Sequence, residues 1–315
     1  MKNELFVSAC ADAEIRVYDE SRNGLSESMR IPVEEGPRCI VFHPLHPLAY
    51  VSTQQGPVVV LDLRNDVQPT RVCTLETGGR MCFLHLEGRL LMGTSYATGC
   101  VQSWVLGEDG LPTGAGMRMD AGLYAHCVCF AGDGRTFFIP HPETKLMNVM
   151  RACPDGSLEH VRDNPMPRDI RHLRRVQDVY YGIAFLEHSL CRFRQTGDML
   201  ELMDECPLSD GQAYPETSGS ELHFHPRLPV VYAASRGQNT LTALRLGENG
   251  LQPLARIPVD DEPVSFCLSA RQNCLYIAGK NGMRVEAVKL RAVDGVPCAY
   301  RFVPSGKEIL WLEMR

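Results

Sequence analysis

Charged and polar side chains stand at the openings of a recurring unit: Arg38 before CIVFHP, Arg80 before MCFLHL, His126 before CVCFAG, Arg168 and Asp169 before IRHLR, and Glu221 before LHFHPR. A second set, Tyr96, His141, Arg236 and Lys280, stands at the ends of the runs that follow in four of the units. Guanidinium groups gathered in one place take carboxylate or phosphate bidentately, and their field draws anions in. A small anionic metabolite is therefore the expected ligand. Single arginines at such places also pair with neighbours such as Glu34, Glu35 and Asp169 to hold loops, so the joint pattern carries more than any member of it. An imidazole such as that of His126, with an ordinary pKa of about 6.5, accepts a proton at neutral pH and is the natural base of the set.

These positions recur because strands recur. Seven short β-type runs begin at Leu5, Leu48, Arg89, Phe137, Val179, Val230 and Cys274, with starts 43, 41, 48, 42, 51 and 44 residues apart. Each is followed by a second alternating run, as in AEIRVYDE or GMRVEAVKL, then a polar turn such as GEDG or QTGD, then a third run such as LSESMRIPV or LPTGAGMRMD. Each is preceded by a run opening at Arg38, Arg80, His126, Arg168, Glu221 or Val264, except in the N-terminal unit, where EILWLEM from Glu308 is expected to supply the missing strand. Four strands in each of seven units predict an all-β chain, a seven-bladed β-propeller of four-stranded antiparallel blades. The C-terminal strand would close the ring on the N-terminal blade, and residues 1–315 would form a single domain. No stretch holds a 3.6-residue period, which excludes a helical solenoid. Because the first strand of a blade starts at the face where the second ends, the opening and closing residues are expected at one mouth.

With 32 basic and 38 acidic side chains the net charge is −6, so no global positive field exists to attract nucleic acid or an anionic membrane. The run RDIRHLRR from Arg168 lacks interleaved aromatic residues and reads as a solvated strand and turn. The first apolar run, LFVSACA, is broken by Asp12 and Glu14, so neither a signal peptide nor a membrane span is read. The 13 cysteines, odd in number, read as free thiols in a reducing cytoplasm. Structural zinc needs pairs such as C-x2-C, whereas the closest pair here is Cys127 and Cys129, and no metal is expected. Cys39, Cys82, Cys127 and Cys267 read as small residues of the first strands, with Cys127 singled out by its neighbour His126, and His43 and His225 as turn residues after those strands. Oligomeric state is not legible.

The stretch YATGCVQSWVLGEDGLPTGAG from Tyr96, then LYAHCVCFAGDGRTFFIP, MPRDI and YAASRGQNTLTAL, resembles the seven-bladed lactonase family typified by bacterial 6-phosphogluconolactonase, to which fungal carboxy-muconate cyclase also belongs. The resemblance spans almost the whole chain through the repeat register and is sharpest between Tyr96 and Arg168. It implies that the family's histidine is His126, that its Pro-Arg pair is Pro167 and Arg168, and that its Arg-Gly is Arg236 and Gly237. Three positions depart: Asp169 stands where a histidine is usual, Ala184 or Phe185 where a glutamate is, and Val264 where an arginine is.

Hydrolysis of a small anionic sugar lactone is the activity so implied. It needs a base to activate water, donors for a developing oxyanion and an anchor for the rest of the ring, with no metal or organic cofactor. His126 would be the base, Asp169 would orient it, and Arg168 and Arg236 would hold the anion or polarise the carbonyl. Arg38, Arg80, Tyr96, Glu221 and Lys280 would complete the binding set. A carboxy-muconate-type lactonising enzyme would use the same residues, and a non-catalytic propeller that binds a metabolite or protein is the reading from a different class.

Overall fold

The computed structural model describes residues 3–65, 68–209, 218–248 and 250–315. Each alternating run forms a strand because one of its faces is apolar and the polar turns between runs let the chain reverse. Seven four-stranded sheets result, which is the seven-bladed β-propeller expected from the repeat. The first combines β1 (Glu4–Ala9), β2 (Glu14–Ser21) and β3 (Gly24–Pro32) with β28 (Ile309–Met314). Next come β4 (Pro37–Phe42) to β7 (Thr70–Leu75) through β5 (Leu48–Thr53) and β6 (Val58–Asp62). The third holds β8 (Phe83–Glu87), β9 (Leu90–Thr94), β10 (Cys100–Val105) and β11 (Met117–Asp120). The fourth holds β12 (Cys129–Phe130), β13 (Thr136–His141), β14 (Leu146–Ala152) and β15 (Leu158–Pro165). β16 (Ile170–Val176), β17 (Val179–Ala184), β18 (Ser189–Thr196) and β19 (Met199–Pro207) make the fifth. The sixth runs from β20 (Ser218–Phe224) and β21 (Val230–Arg236) to β22 (Thr240–Gly247) and β23 (Gly250–Pro258). The seventh is β24 (Pro263–Leu268), β25 (Cys274–Gly279), β26 (Arg284–Leu290) and β27 (Pro297–Pro304).

EILWLEM supplies the missing strand as expected, with β28 pairing antiparallel to β1. The run from Leu111 is less regular than its composition suggests. Only Met117–Asp120 pairs with β10, because Gly116 adopts a φ of +81° against the Trp104 indole and the chain before it bridges only at Leu106 and Pro112. Among the described residues no helix is long and apolar enough to cross a membrane.

Contacts gather the chain into two compact units. The first comprises Arg38–Gly182 and Phe193–Met203. In it the first-strand cysteines do more than fill space: the Cys39 sulfur accepts the Leu84 N–H at 3.3 Å, and the Cys127 sulfur accepts the Leu173 N–H at 3.3 Å. A small, weakly accepting side chain thus meets a backbone donor of the neighbouring first strand that would otherwise be buried unpaired. Cys127 is a structural thiol in this arrangement. The His43 imidazole caps its turn by accepting the Leu45 and His46 N–H groups, as its place after β4 suggested.

The second unit comprises Met1–Pro37, Ile183–Arg192 and Asp204–Arg315. Its hydrophobic core runs through Leu5, Val7, Tyr18, Val285, Ile309 and Leu312, and through Tyr232, Leu241, Phe266 and Ile277. The His225 imidazole repeats the turn cap, accepting the Arg227 and Leu228 N–H groups. Beside the core lies a buried acidic residue, Glu286, which shares the Arg284 guanidinium, at 3.3 Å, with Asp260 at 3.1 Å. Burial, reinforced by the Asp260 charge, holds the Glu286 carboxyl above its ordinary value of 4.5. A carboxyl that binds its proton more tightly folded than unfolded contributes stability in full below the unfolded value and loses it as pH rises through the folded value. Glu286→Gln, which cannot ionise, lacks that slope. The parent protein is therefore expected to lose stability relative to Glu286→Gln between about pH 4 and about pH 7.5, and urea midpoints of the two proteins at both pH values check it.

Candidate functional site

The first unit brings His126, His141 and Tyr96, all expected at the mouth, into a single constellation. It is built on the segment between β11 and β12. Asp120 accepts the Gly122 N–H at 2.9 Å, Gly122 takes a φ of +87°, and Tyr124 follows at +73°, an uncommon conformation for a side chain with a Cβ. The Tyr124 N–H donates to the Tyr96 carbonyl at 2.9 Å, and the two rings meet edge to face at 5.3 Å. Only glycine fits at position 99 in the turn beneath, where φ is +70° and a Cβ would stand 2.3 Å from the Gly122 carbonyl oxygen. The His141 imidazole supports the same segment through its Nδ1, 2.8 Å from the Leu123 carbonyl, while its Nε2 meets the Asn148 amide oxygen.

His126 thus arrives buried at the end of a braced loop, its backbone N–H donating to the Pro140 carbonyl at 3.1 Å and its carbonyl accepting the Thr94 hydroxyl at 2.8 Å. Its ring lies edge to face with Tyr96 at 5.9 Å and tilted against His172 at 4.7 Å. Most telling is Arg171, whose Nε donates to the His126 Nε2 at 2.9 Å. A guanidinium has only donors, so that nitrogen presents its lone pair and the ring proton sits on Nδ1. The ring is neutral and its basic nitrogen is capped by a cation.

Around this pair the Tyr96 hydroxyl donates to the exposed Glu143 carboxylate at 2.6 Å. Burial, and then the Glu143 carboxylate, hold the Tyr96 phenol well above its ordinary value of 10.0, so it stays a proton donor. The Cys82 thiol contacts the His126 carbonyl at 3.3 Å, and burial pushes its pKa up although the Arg38 and Arg171 charges oppose this. It is a packing group, without thiolate character.

The other expected site residues lie as follows. Arg38 is half-buried and donates to the Gln54 amide oxygen at 2.6 Å, Arg80 is exposed ahead of β8, and Asp169 is buried at the entry to β16. Arg168 turns its guanidinium back on the Pro167 carbonyl at 2.9 Å. In the second unit, Glu221 is fully buried and accepts the Leu222 N–H at 2.9 Å, with His223 Nε2 at 4.0 Å. Arg236 donates to the Ser218 hydroxyl at 3.0 Å, and the Lys280 N–H donates to the Glu262 carbonyl at 2.9 Å.

Arg171, His172, Tyr124 and Glu143 were not singled out from the sequence. RDIRHLRR is not the solvated strand and turn that its composition suggests: His172 is 5% exposed, packed against Phe83 at 5.6 Å, and Arg171 is half-buried. The alternation of β16 held the signal, since Ile170 and His172 share its inward face and Arg171 opens beside them. Among the described residues no group of three or more His, Cys, Asp or Glu side chains could hold a metal ion.

The family described as "Lactonase, 7-bladed beta-propeller" matches residues 52–301. The 6-phosphogluconolactonase of Erwinia tasmaniensis is 21% identical over 240 residues, covering 72% of this chain and 71% of that protein. The periplasmic gluconolactonase of Pseudomonas aeruginosa superposes with a TM-score of 0.88 at 18% identity, over 100% of this chain and 99% of that one. A protein from Lactobacillus plantarum gives a TM-score of 0.89 at 12% identity, over 100% and 99% of the two chains.

Proposed function

Given that the chain belongs to the seven-bladed β-propeller lactonases, a family of lactone-hydrolysing enzymes, we propose that it opens a small anionic sugar lactone with His126 as the base and Arg171 as the gate to that base. The observation that carries this reading is the 2.9 Å hydrogen bond from Arg171 Nε to His126 Nε2. A guanidinium binds a carboxylate or phosphate through charge-assisted, paired hydrogen bonds, roughly twice as strong as neutral ones. An incoming anionic substrate therefore draws Arg171 away from the imidazole and uncovers the Nε2 lone pair.

A water then gives its proton to His126 Nε2 as its oxygen attacks the lactone carbonyl. The negative charge that develops on the carbonyl oxygen lies in the field of the guanidinium groups of Arg171 and Arg38. Collapse of the tetrahedral intermediate breaks the ring C–O bond, and the imidazolium returns the proton to the leaving alkoxide, giving the open hydroxy acid and the neutral ring again. Tyr96, kept protonated, orients the imidazole through its edge contact. The name of the Erwinia relative supports a phosphorylated substrate, and the thirteen free cysteines support a reducing compartment.

The test is ring opening followed by proton release on 1,4- and 1,5-sugar lactones, each neutral, carboxylated and phosphorylated, for the parent and Arg171→Met. Anionic lactones are expected to be favoured, and Arg171→Met to lower kcat/KM on them by about 10²-fold, with a much smaller loss on neutral lactones. Equal loss on both classes would overturn the gating role. Turnover of a carboxylated muconate with no lactone hydrolysed would move the assignment to the lactonising direction.

A further inference from the structure

The second unit holds a cavity of about 420 Å³ between the turn joining β2 to β3 and the outer half of the sheet of β24 to β27. Its floor is one face of that sheet. Tyr276 pairs with Ala287 and Ala287 with Arg301, while Cys274 pairs with Lys289 and Lys289 with Ala299, so all six side chains point the same way. Nearer β24 this face is filled, Tyr276, Ala278 and Val285 packing on Leu5, Val7 and Tyr18. Farther out, alanine at 287 and 299 and glycine at 24 leave the wedge between the diverging sheets open.

Cations line that opening. Arg22, Arg271, Lys289 and Arg301 all border the cavity, against the single carboxylate of Glu20, whose Oε2 already accepts the Ala270 N–H at 3.0 Å. None of the four cations makes an ion pair among the described residues. Elsewhere in this unit Arg16 pairs with Asp12 and Glu14, Arg30 with Glu27, Arg192 with Asp204, Arg291 with Asp294, and Arg315 with Glu4, while Arg227 and Arg256 bond neutral partners instead, Gln272 and the Ser209 carbonyl. In a chain of net charge −6, four unpaired cations around one hollow form a field that lacks its counter-charge.

We propose that this cavity is an anion site for a small phosphate-bearing metabolite. The guanidinium and ammonium groups take the phosphate oxygens, and the Tyr276 ring with Ala287 and Ala299 forms a floor for the organic part. The volume falls within the range of small-ligand pockets, roughly 300–1,000 Å³. The site lies at the start of β25, whereas Lys280 follows its end, and it does not depend on the roles assigned to His126 and Arg171.

Isothermal titration of the intact protein with inorganic pyrophosphate and with glycerol 3-phosphate in about 0.15 M salt tests it, since exposed charges farther apart than about 8 Å are screened there and only a convergent site retains affinity. Three proteins are compared: the parent, Lys289→Glu/Arg301→Glu, and Arg171→Met. Both substituted cations of the cavity are exposed, so the double variant is expected to melt with the parent. Saturable binding is expected to weaken about tenfold or more in the double variant and to persist in Arg171→Met. Absence of saturable binding, binding that survives the double variant, or binding lost only in Arg171→Met would each overturn the proposal.

Discussion

Exchange of His126 for glutamine is expected to lower kcat by about 10²–10⁴-fold while leaving KM within a few-fold of the parent. Glutamine keeps an oxygen that can accept the Arg171 Nε–H in place of the imidazole nitrogen, so the guanidinium retains a partner and the loop bearing residue 126 keeps its backbone bonds to Pro140 and Thr94. What disappears is a nitrogen able to take a proton from water. Loss of turnover with retained substrate affinity is the signature of a group that acts in the transition state, and steady-state kinetics on the favoured lactone read both parameters. A kcat within threefold of the parent would remove His126 from the mechanism and leave catalysis to be sought elsewhere.

Deleting residues 308–315 is expected to abolish cooperative folding. Ile309 and Leu312 are buried in the core with Leu5 and Val7, and burying an aliphatic side chain of this size is worth about 1.5–3 kcal/mol. The same deletion strips β1 of its partner along Leu5 to Ala9 and removes the Arg315 bonds to Glu4, a backbone N–H at 2.9 Å and a guanidinium at 3.2 Å. Buried backbone groups left without partners add further cost. Set against a total stability of about 5–15 kcal/mol, these losses are of the size of the whole. Thermal melts followed by circular dichroism check it, and Leu312→Ala, which keeps the strand, is expected to fold with a lowered midpoint. A truncated chain that melts with the parent would show that β28 is dispensable.

The strands were legible because period-two alternation survives in nearly every run, and even EILWLEM could be placed by counting what the N-terminal unit lacked. Boundaries were less legible. His126 and Arg168 lie ahead of the first paired residues of their strands, and β12 reduces to Cys129 and Phe130 because the preceding loop is used to deliver the histidine. The imidazole could be singled out from its position in the repeat. Its partners could not, for distinct reasons. Arg171 and His172 sit in a run whose basic composition hides an alternating face, Tyr124 owes its place to a left-handed turn, and Glu143 reaches Tyr96 from a single 3₁₀ turn across 47 positions of sequence. Contacts of that kind depend on which loops face each other, and a single chain without a second sequence beside it does not encode that in any local pattern.

The sheet that contains both β1 and β28 also sets a schedule for biosynthesis. On the ribosome β1 emerges well before the strand that pairs with its open edge, which is not polymerised until residues 309–314. At about 5–20 residues per second, the nascent chain carries that unsatisfied edge for roughly fifteen seconds to a minute. During that interval Phe6 and Val7, later sealed, are available to any passing strand, so the delay between β1 and β28 is a window for aggregation.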